Sequence, residues 1–396
     1  MKRRVVWLVL LAQCILLTGC WSSKPIEDLN MEVGIALDAA VGDEDDASGQ
    51  EGEQVKKRQK LSCAYQFVLP QGGSGSQKVN SQSRKFYNMI QSGDSTFEIH
   101  RLLSQRSNLT PIGVHLKVIL IGEELARSTQ ISELIDFFQR DNNIRPSVLL
   151  MVSEGRASDV MKKALPGQIP ALMMKDIFHN RHRSSKIWEP VSIAKAIGPL
   201  HGKTSFLLQN VVADNKEPRF SGAGVIKGET GKLAGFLNEN ELEGAVWLTG
   251  QKNGGVIQAY DAKNDRLVAY EISSVNSKIK ASVKEEEISF VVKTEFTGRY
   301  AEVYGSGGEE LDSAIVEKDE QRLKKVAEDR IRSTVDKMQQ ELHVEAAGFG
   351  QALHIQHPSV WRKVKDNWDE VFAKLPVTFE VKVEIEDNGA SGRASE

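Results

Sequence analysis

Residues 114–141 read VHLKVILIGEELARSTQISELIDFFQRD and place two hydrophobic patterns next to each other. From Val114 to Gly122 the chain is almost continuously apolar, which predicts a buried strand. From Ile131 to Asp141 the apolar residues recur at helical spacing, which predicts an amphipathic helix. A buried strand followed by such a helix is typical of a sheet covered by helices. This stretch therefore predicts helices packed on a sheet.

The same alternation of strands and helices extends in both directions. On the N-terminal side we predict strands at Met31–Ala40 and Lys60–Pro70, and a helix that begins with a capping box at Ser95. On the C-terminal side the predicted elements are a strand at Pro146–Gly155, a helix at Ala157–Leu165, a helix near Val191–Ile197, a strand at Thr204–Val212, a hairpin at Gly222–Leu237 with its turn at Glu229–Gly231, and a short helix opened by Asn238 and Glu241.

The last third of the chain predicts long strands followed by amphipathic helices. Strand patterns follow one another from Gly255 to Tyr304. The longest predicted helix carries one apolar stripe, formed by Leu323, Val326, Ala327, Ile331, Val335, Met338 and Leu342. Another begins near Pro358 and carries Trp361, Val364, Trp368, Phe372 and Leu375. The helical spacing of these side chains favours core packing over an aromatic ligand cage. An alternating, half-buried strand is predicted at Val377–Asp387.

The N-terminus has the order of a bacterial lipoprotein signal. Lys2, Arg3 and Arg4 precede an apolar run that is shorter than the roughly 20 residues a membrane span needs. The run ends in LTGCW, with small residues before Cys20. We predict that residues 1–19 are a signal peptide, cleaved between Gly19 and Cys20, and that Cys20 carries S-diacylglycerol and N-acyl lipid. The alternative, a buried N-terminal helix with a chance cysteine, explains the order of charges and small residues less well.

Composition limits the class of protein. A chain of 396 residues suggests two or three domains. Its formal charge is −3, and loss of the three basic residues in the signal would give −6, which argues against general nucleic-acid binding. After cleavage and lipidation Cys63 is the one remaining thiol, so an intramolecular disulfide and a four-cysteine metal site are excluded. Cys63 lies in a strand pattern and is predicted to be a small buried hydrophobe.

Several partial motifs do not amount to a site. Gly198, Gly202, Lys203 and Thr204 resemble a phosphate-binding loop, but the glycine spacing is one residue short and a strand pattern follows. The pairs His179–His182 and His354–His357 lack further ligands, so we predict a basic surface segment for the first and local packing for the second. The acidic segment Gly42–Glu53 lacks the spacing of a calcium loop, and Gln71–Gln77 is predicted to be a flexible loop. We therefore expect no catalytic, cofactor or metal site.

Five stretches follow one another in a recognisable order. They are Cys20-Trp21 with the strand residues Gly34, Ile35 and Asp38, then HLKVILIGEELAR, then LIDFFQRDNNIRPSVLLMVSEGRASDVM, then GAGVIKGETGKLAGFLNENELEGAVWLTG, and last GFGQALHIQHPSVWRKVKDNW with Gly348, Phe349, Gly350, Pro358, Trp361 and Trp368. Together they resemble the Ger(x)C family, the lipoprotein C subunits of bacterial spore germinant receptors. Two positions depart from the family pattern. Ser22 and Ala346-Ala347 stand where an Asp is usual.

The resemblance implies an α+β body of three domains, each a mixed sheet packed with helices, and no enzymatic activity. We place the N-terminal domain at 20–200, the middle domain at 201–268, the C-terminal domain at 269–390, and a frayed tail at 391–396. The resemblance also implies that the chain acts together with two membrane-embedded partners, the receptor's A and B subunits. The lipid would hold the body at the outer face of the cell membrane or at the spore inner membrane. Whether this subunit itself binds a small molecule is left open.

Two other classes of protein remain as alternatives. A solute-binding lipoprotein of a transporter would share the signal, but such proteins have two lobes of repeated β-α units. The strand-rich region from Gly255 to Gly305 and the long helix after it fit that plan poorly. An envelope hydrolase would need a catalytic constellation, and none is recognisable in the sequence.

Overall fold

The structure is a computed structural model, and it describes residues 29–40, 60–69, 85–215, 217–251, 254–305 and 312–387. Several predicted features lie outside these residues: the signal peptide, the lipid attachment site Cys20, the acidic segment Gly42–Glu53, the loop Gln71–Gln77 and the tail at 391–396.

The first of two described sheets has nine strands. They are β1 (Leu29–Ala39), β2 (Leu61–Val68), β3 (Phe86–Gly93), β4 (Thr110–Ile112), β5 (Val118–Gly122), β6 (Leu149–Ser153), β7 (Phe206–Asp214), β8 (Glu217–Lys227) and β9 (Lys232–Leu237). Their order is β3-β2-β1-β5-β6-β7-β8-β9, with the short β4 beside the start of β1. β1, β5, β6 and β7 run parallel, and antiparallel strands extend the sheet on both sides. β6 and β7 share a single register pair, Val152 with Asn210.

Helices cover both faces of this sheet. They are α1 (Thr96–Leu103), α2 (Glu123–Ser128), α3 (Ile131–Arg140), α4 (Ala157–Val160), α5 (Pro170–Ile177) and α6 (Ile193–Gly202). Every residue of β5 is buried, and successive side chains enter opposite cores. Ile119 and Ile121 pack in one core, whereas Val118 and Leu120 pack in the other. The continuous apolar run therefore reflects a strand with no solvent-facing side.

The second sheet has the order β10-β11-β12-β13. Its strands are β10 (Gly255–Asp261), β11 (Arg266–Lys284), β12 (Glu287–Tyr304) and β13 (Val377–Asp387). The helices of this region are α7 (Glu239–Leu248), α8 (Ser313–Asp336), which continues as a π-helix at Lys337–Leu342, α9 (Phe349–Gln356), α10 (Pro358–Val364) and α11 (Trp368–Phe372). β11 and β12 form a long antiparallel hairpin, and β13 joins it in parallel.

The α+β class is confirmed by these mixed sheets and their helices. The strands of residues 201–268 are divided between the sheets: β7, β8 and β9 belong to the first, and β10 with the start of β11 to the second. The three domain boundaries stay a prediction.

Three predicted elements differ from those observed. Gly113–His115 is a 3₁₀ turn, so the central strand begins at Val118 and not at Val114. The helix at Ala157 ends at Val160 and continues as turns, because Pro166 and Gly167 soon follow and disfavour further helix. A 3₁₀ turn at Lys365–Asn367 interrupts the last helix and lets Trp368 pack edge-on against Trp361, with ring centroids 5.3 Å apart.

Candidate functional site

The N-terminal motif residues meet where β1 contacts the start of α4. Asp38 is buried, and its carboxylate accepts hydrogen bonds from the backbone N–H groups of Ala157 (2.8 Å) and Ser158 (2.9 Å). Gly122 lies against it, and a Cβ there would be 2.2 Å from an Asp38 oxygen. Gly34 is equally confined, since its Cβ would lie 2.6 Å from that of Ala171. These residues therefore join the central strands to the helices and leave no open site.

The C-terminal motif is built around the buried carboxylate of Glu345. It accepts hydrogen bonds from the backbone N–H groups of Ala347 (2.6 Å), Gly348 (2.7 Å) and Gly350 (2.9 Å) and from the indole N–H of Trp368 (3.0 Å). Gly348 has a φ of 94°, a left-handed conformation that favours glycine. This cluster fixes the start of α9 and ties the glycines of the motif to Trp368.

Replacing Glu345 with Ala is expected to lower the free energy of unfolding by about 2–3 kcal/mol, because the carboxylate that accepts all four of these hydrogen bonds is removed. Glu345→Gln keeps one acceptor oxygen and is the matched control, with about half the loss expected. Urea denaturation followed by tryptophan fluorescence measures both. Equal stability of the Ala variant and the unsubstituted chain would contradict this account of the cluster.

A large groove, here called the central groove, adjoins this cluster. Its volume is about 1550 Å³. It lies between the α6–β7 region, the middle of β11 and the helices α9 to α11. Trp188, Phe206, Ile355 and Trp361 contribute apolar lining. Two other cavities among the described residues are smaller, with volumes of about 880 and 330 Å³.

A second cluster of titratable groups is buried beneath α1. Glu32 is 1% exposed, and neither of its carboxyl oxygens has a hydrogen-bond partner within the described part of the chain. Burial, reinforced by the charge of Asp141, raises the pKa of Glu32 to about 8. The nearest imidazole nitrogen, Nδ1 of His100, is 3.6 Å away, and burial lowers the pKa of His100. At neutral pH the pair is therefore an uncharged acid beside an uncharged imidazole.

The residues singled out from the sequence do not come together in one site. His182 bonds to the backbone oxygen of His179, whereas His354 stacks on Trp361 and His357 lies near the backbone oxygen of Ala281. The packing predicted for His354 and His357 is thus confirmed. Gly198 lies inside α6 and Lys203 ends it, so no strand-to-helix phosphate loop is formed. Cys63 is fully buried in β2, as predicted, and burial raises the pKa of its thiol.

Sequence reasoning missed Glu32 and Glu345, because an isolated Glu carries no local signal of burial. Among the described residues, no group of three or more His, Cys, Asp or Glu side chains could hold a metal ion. Within the same residues, no helix is both long and apolar enough to cross a membrane.

Comparison with known proteins decides the family. The family model "Spore germination protein N-terminal domain" matches residues 22–212, and "Spore germination B3/GerAC like, C-terminal" matches residues 221–389. The chain belongs to this spore germination family. The two matches together cover nearly everything after the predicted signal peptide.

Relatives of known name agree with this assignment over their whole length. The chain is 35% identical to spore germination protein YndF of Bacillus subtilis, with 97% of each chain covered. It is 28% identical to spore germination protein B3 of the same organism, with 99% of each covered. The crystal structure of the GerBC protein is similar, with a TM-score of 0.61 and 26% identity over 83% of this chain and 94% of that one.

These likenesses show that the chain is a spore germination protein of the Ger(x)C type, as the sequence resemblance predicted. None of the matched names describes an enzyme. The solute-binding alternative is not favoured, since full-length relatives and a solved structure all belong to germination proteins.

Proposed function

We propose that the chain is the non-enzymatic C subunit of a spore germinant receptor, anchored by lipid at Cys20 and acting with membrane-embedded A and B subunits. The observation that carries this proposal is the full-length likeness to germination proteins, combined with a lipoprotein signal directly ahead of the matched region. Catalysis is not part of the proposal.

The length of the tether sets how close the body stays to the bilayer. Eight residues, 21–28, lie between Cys20 and the first residue of β1, Leu29. An extended chain spans at most about 3.5 Å per residue, so Leu29 would lie within about 30 Å of the lipid. Two or more acyl chains hold a protein at a membrane stably, whereas one is marginal. A tether this short raises the local concentration of the body near integral partners, so a modest interface suffices.

Replacing Cys20 with Ala is expected to abolish lipid attachment and weaken the germination response, because the thiol is the acceptor of the diacylglyceryl group. Metabolic labelling with radioactive palmitate measures the first effect, and loss of optical density after nutrient addition measures the second. The matched control is Cys63→Ala, which removes the other cysteine of the mature chain and should keep the label. Normal labelling and a normal response in the Cys20 variant would refute the anchor.

The partners need a separate test. Crosslinking in spore membranes, followed by purification of this chain, should recover the A and B subunits of its receptor. Recovery of neither, under conditions in which A and B crosslink to each other, would contradict the proposed assembly.

A further inference from the structure

We propose that the end of the first sheet at which the tether enters is a contact surface for anionic lipid headgroups. This end, here called the tether end, consists of the described residues 29–31, 67–69, 85–87, 106–117 and 141–148. The inference rests on the proposed anchor at Cys20, which brings this end to a bilayer. It adds which face of the body lies on the membrane and which lipid charge that face selects.

Backbone pairing brings the segments of the tether end together. β4 lies beside Leu29–Met31 at the start of β1. β2 ends and β3 begins next to them, where the Leu69 N–H donates to the Lys85 carbonyl (2.8 Å). The Lys117 carbonyl accepts a hydrogen bond from the Leu149 N–H (2.9 Å), so the starts of β5 and β6 lie alongside. The point where the tether enters is therefore surrounded by the loops that precede β4, β5 and β6.

The charge of the tether end is positive. Its basic residues are Lys85, Arg106, Lys117 and Arg145. Its acidic residue is Asp141, so with His115 counted as neutral the excess is three positive charges, four minus one. Glu32 adjoins this end, but burial raises its pKa to about 8, so it is uncharged at neutral pH. Among the described residues, none of the four basic side chains has an ion-pair partner.

The chain that joins the tether end from outside the described residues does not cancel this excess. Residues 21–28, the tether itself, contain one Lys, one Glu and one Asp, a net charge of −1. Residues 70–84 connect β2 to β3 and contain one Lys, one Arg and no acidic residue, a net charge of +2. The sum for the tether end and these two segments is +4, three minus one plus two.

The opposite end of β1 carries the other sign of charge. Residues 41–59 join Ala40 to Lys60 there and contain six acidic and three basic residues, a net charge of −3. β1 is 11 residues long, so the two ends are about 35 Å apart, several times the roughly 10 Å screening length of dilute salt. An anionic surface therefore attracts the tether end, and it would repel the acidic end in the reverse orientation.

The tether end also exposes an apolar side chain. Leu69 is 37% exposed and lies next to Lys85. Apolar and basic side chains on one surface suit the headgroup layer, where the apolar group meets the acyl boundary and the bases meet phosphates. Leu29 would lie within about 30 Å of the lipid at Cys20, so the anchor itself supplies a high local concentration of bilayer. A membrane is for this reason favoured over an acidic protein as the occupant.

The test uses the predicted mature chain, residues 20–396, coupled through the Cys20 thiol to a maleimide lipid in vesicles. Cys63 is fully buried and does not compete for the maleimide. On vesicles that contain phosphatidylglycerol, amide hydrogens of 106–117 and 141–148 should exchange at least about threefold more slowly than on pure phosphatidylcholine. The difference should disappear in about 0.5 M NaCl, because salt screens the attraction.

Two charge-reversal variants separate this surface from general charge attraction. Loss of the protection on anionic vesicles is expected for the variant K85E/K117E/R145E. The matched control reverses three exposed lysines of the second sheet and α8 and should keep the protection; it is K263E/K318E/K325E. Thermal unfolding checks that both variants fold.

Each other outcome overturns the proposal. Equal protection on neutral and anionic vesicles shows that charge does not select the surface, and no protection on either shows that this end does not lie on lipid. Equal loss in both variants indicates general charge attraction. If the tether-end variant keeps its protection but no longer crosslinks to the A or B subunit, these residues meet a protein. Because the coupling to Cys20 is chemical, failure here is distinguishable from failure of palmitate labelling in cells.

Discussion

Replacing Asp319 with Ala is expected to lower the free energy of unfolding by about 3–5 kcal/mol, because it removes the acidic partner of a buried ion pair and leaves the basic partner buried. Asp319 lies on α8 and is fully buried. Its carboxylate accepts hydrogen bonds from Arg266 (2.9 Å), from Arg322 (2.9 Å) and from the hydroxyl of Tyr300 (3.0 Å). Arg322 also pairs with Asp261 on β10. The Asp319 carboxylate therefore fastens α8 to β11 and β12, and Arg322 joins the same helix to β10.

Chemical denaturation of the full-length chain measures this effect. Asp329→Ala is the matched control, because Asp329 is an exposed residue of the same helix and should change stability by less than about 0.5 kcal/mol. Asp319→Asn keeps an acceptor oxygen but removes the charge, and should fall between the two. A loss for Asp319→Ala no larger than that of the control would show that the network contributes little.

The stability of the chain is expected to fall as pH rises towards 8, and Glu32→Gln should remove this fall. The ordinary pKa of Glu is 4.5, and burial raises that of Glu32 to about 8. The folded state therefore holds a proton that the unfolded chain releases between these values. The stability that this bound proton contributes is fully present below pH 4.5 and is lost as pH rises through 8. The free energy of unfolding falls by about 1.4 kcal/mol per pH unit within this range, and by a few kcal/mol in all.

The groups around Glu32 define the pH window of the measurement. They are Tyr65 on β2, His100 on α1, and Asp141 after α3. Burial lowers the pKa of His100 from its ordinary value of 6.5. The contribution of His100 to stability is therefore lost as pH falls, and it changes only below pH 6.5. Burial raises the pKa of the Cys63 thiol, so this thiol changes the stability only above its ordinary pKa of 9.0. Between pH 6.5 and 8.5, Glu32 therefore dominates this cluster.

Urea unfolding at several pH values within this window gives the slope directly. The exposed Glu317→Gln variant is the control and should retain the slope of the unsubstituted chain. Above pH 8 the Glu32→Gln chain should be the more stable one. An identical slope in both variants would show that Glu32 is ionised in the folded protein.

Local signals in the sequence were sufficient for most single elements. Ser95 and Asn238 cap α1 and α7 as predicted, because a cap joins residues only three positions apart. The hairpin turn at Gly231 and the alternation of β13 are also short-range features, and both are confirmed. The family resemblance supplied what these signals lack, namely the role in germination.

Long-range pairing was beyond the reach of pattern reasoning. The predicted boundary at residue 201 rests on local patterns alone, and no local feature shows that Asn210 on β7 pairs with Val152 on β6. Glu32 stands in an apolar strand, but its burial depends on α1 and on residues after α3, which are distant in the chain. The central groove likewise combines residues from both halves of the sequence.

β6 and β7 share a single register pair, and this narrow contact, here called the seam, separates the first sheet into two parts. We expect the two parts to open independently. Asn210 supports this seam by accepting a hydrogen bond from the Glu154 N–H (2.9 Å) and donating to the Ser221 carbonyl (2.7 Å). Few backbone bonds cross it, whereas many hold β7 to β8 and β1 to β2. Sub-global opening follows the weakest line of contacts, so amide hydrogens on either side should exchange as separate cooperative units. The seam would then let one half of the sheet move without unfolding the other.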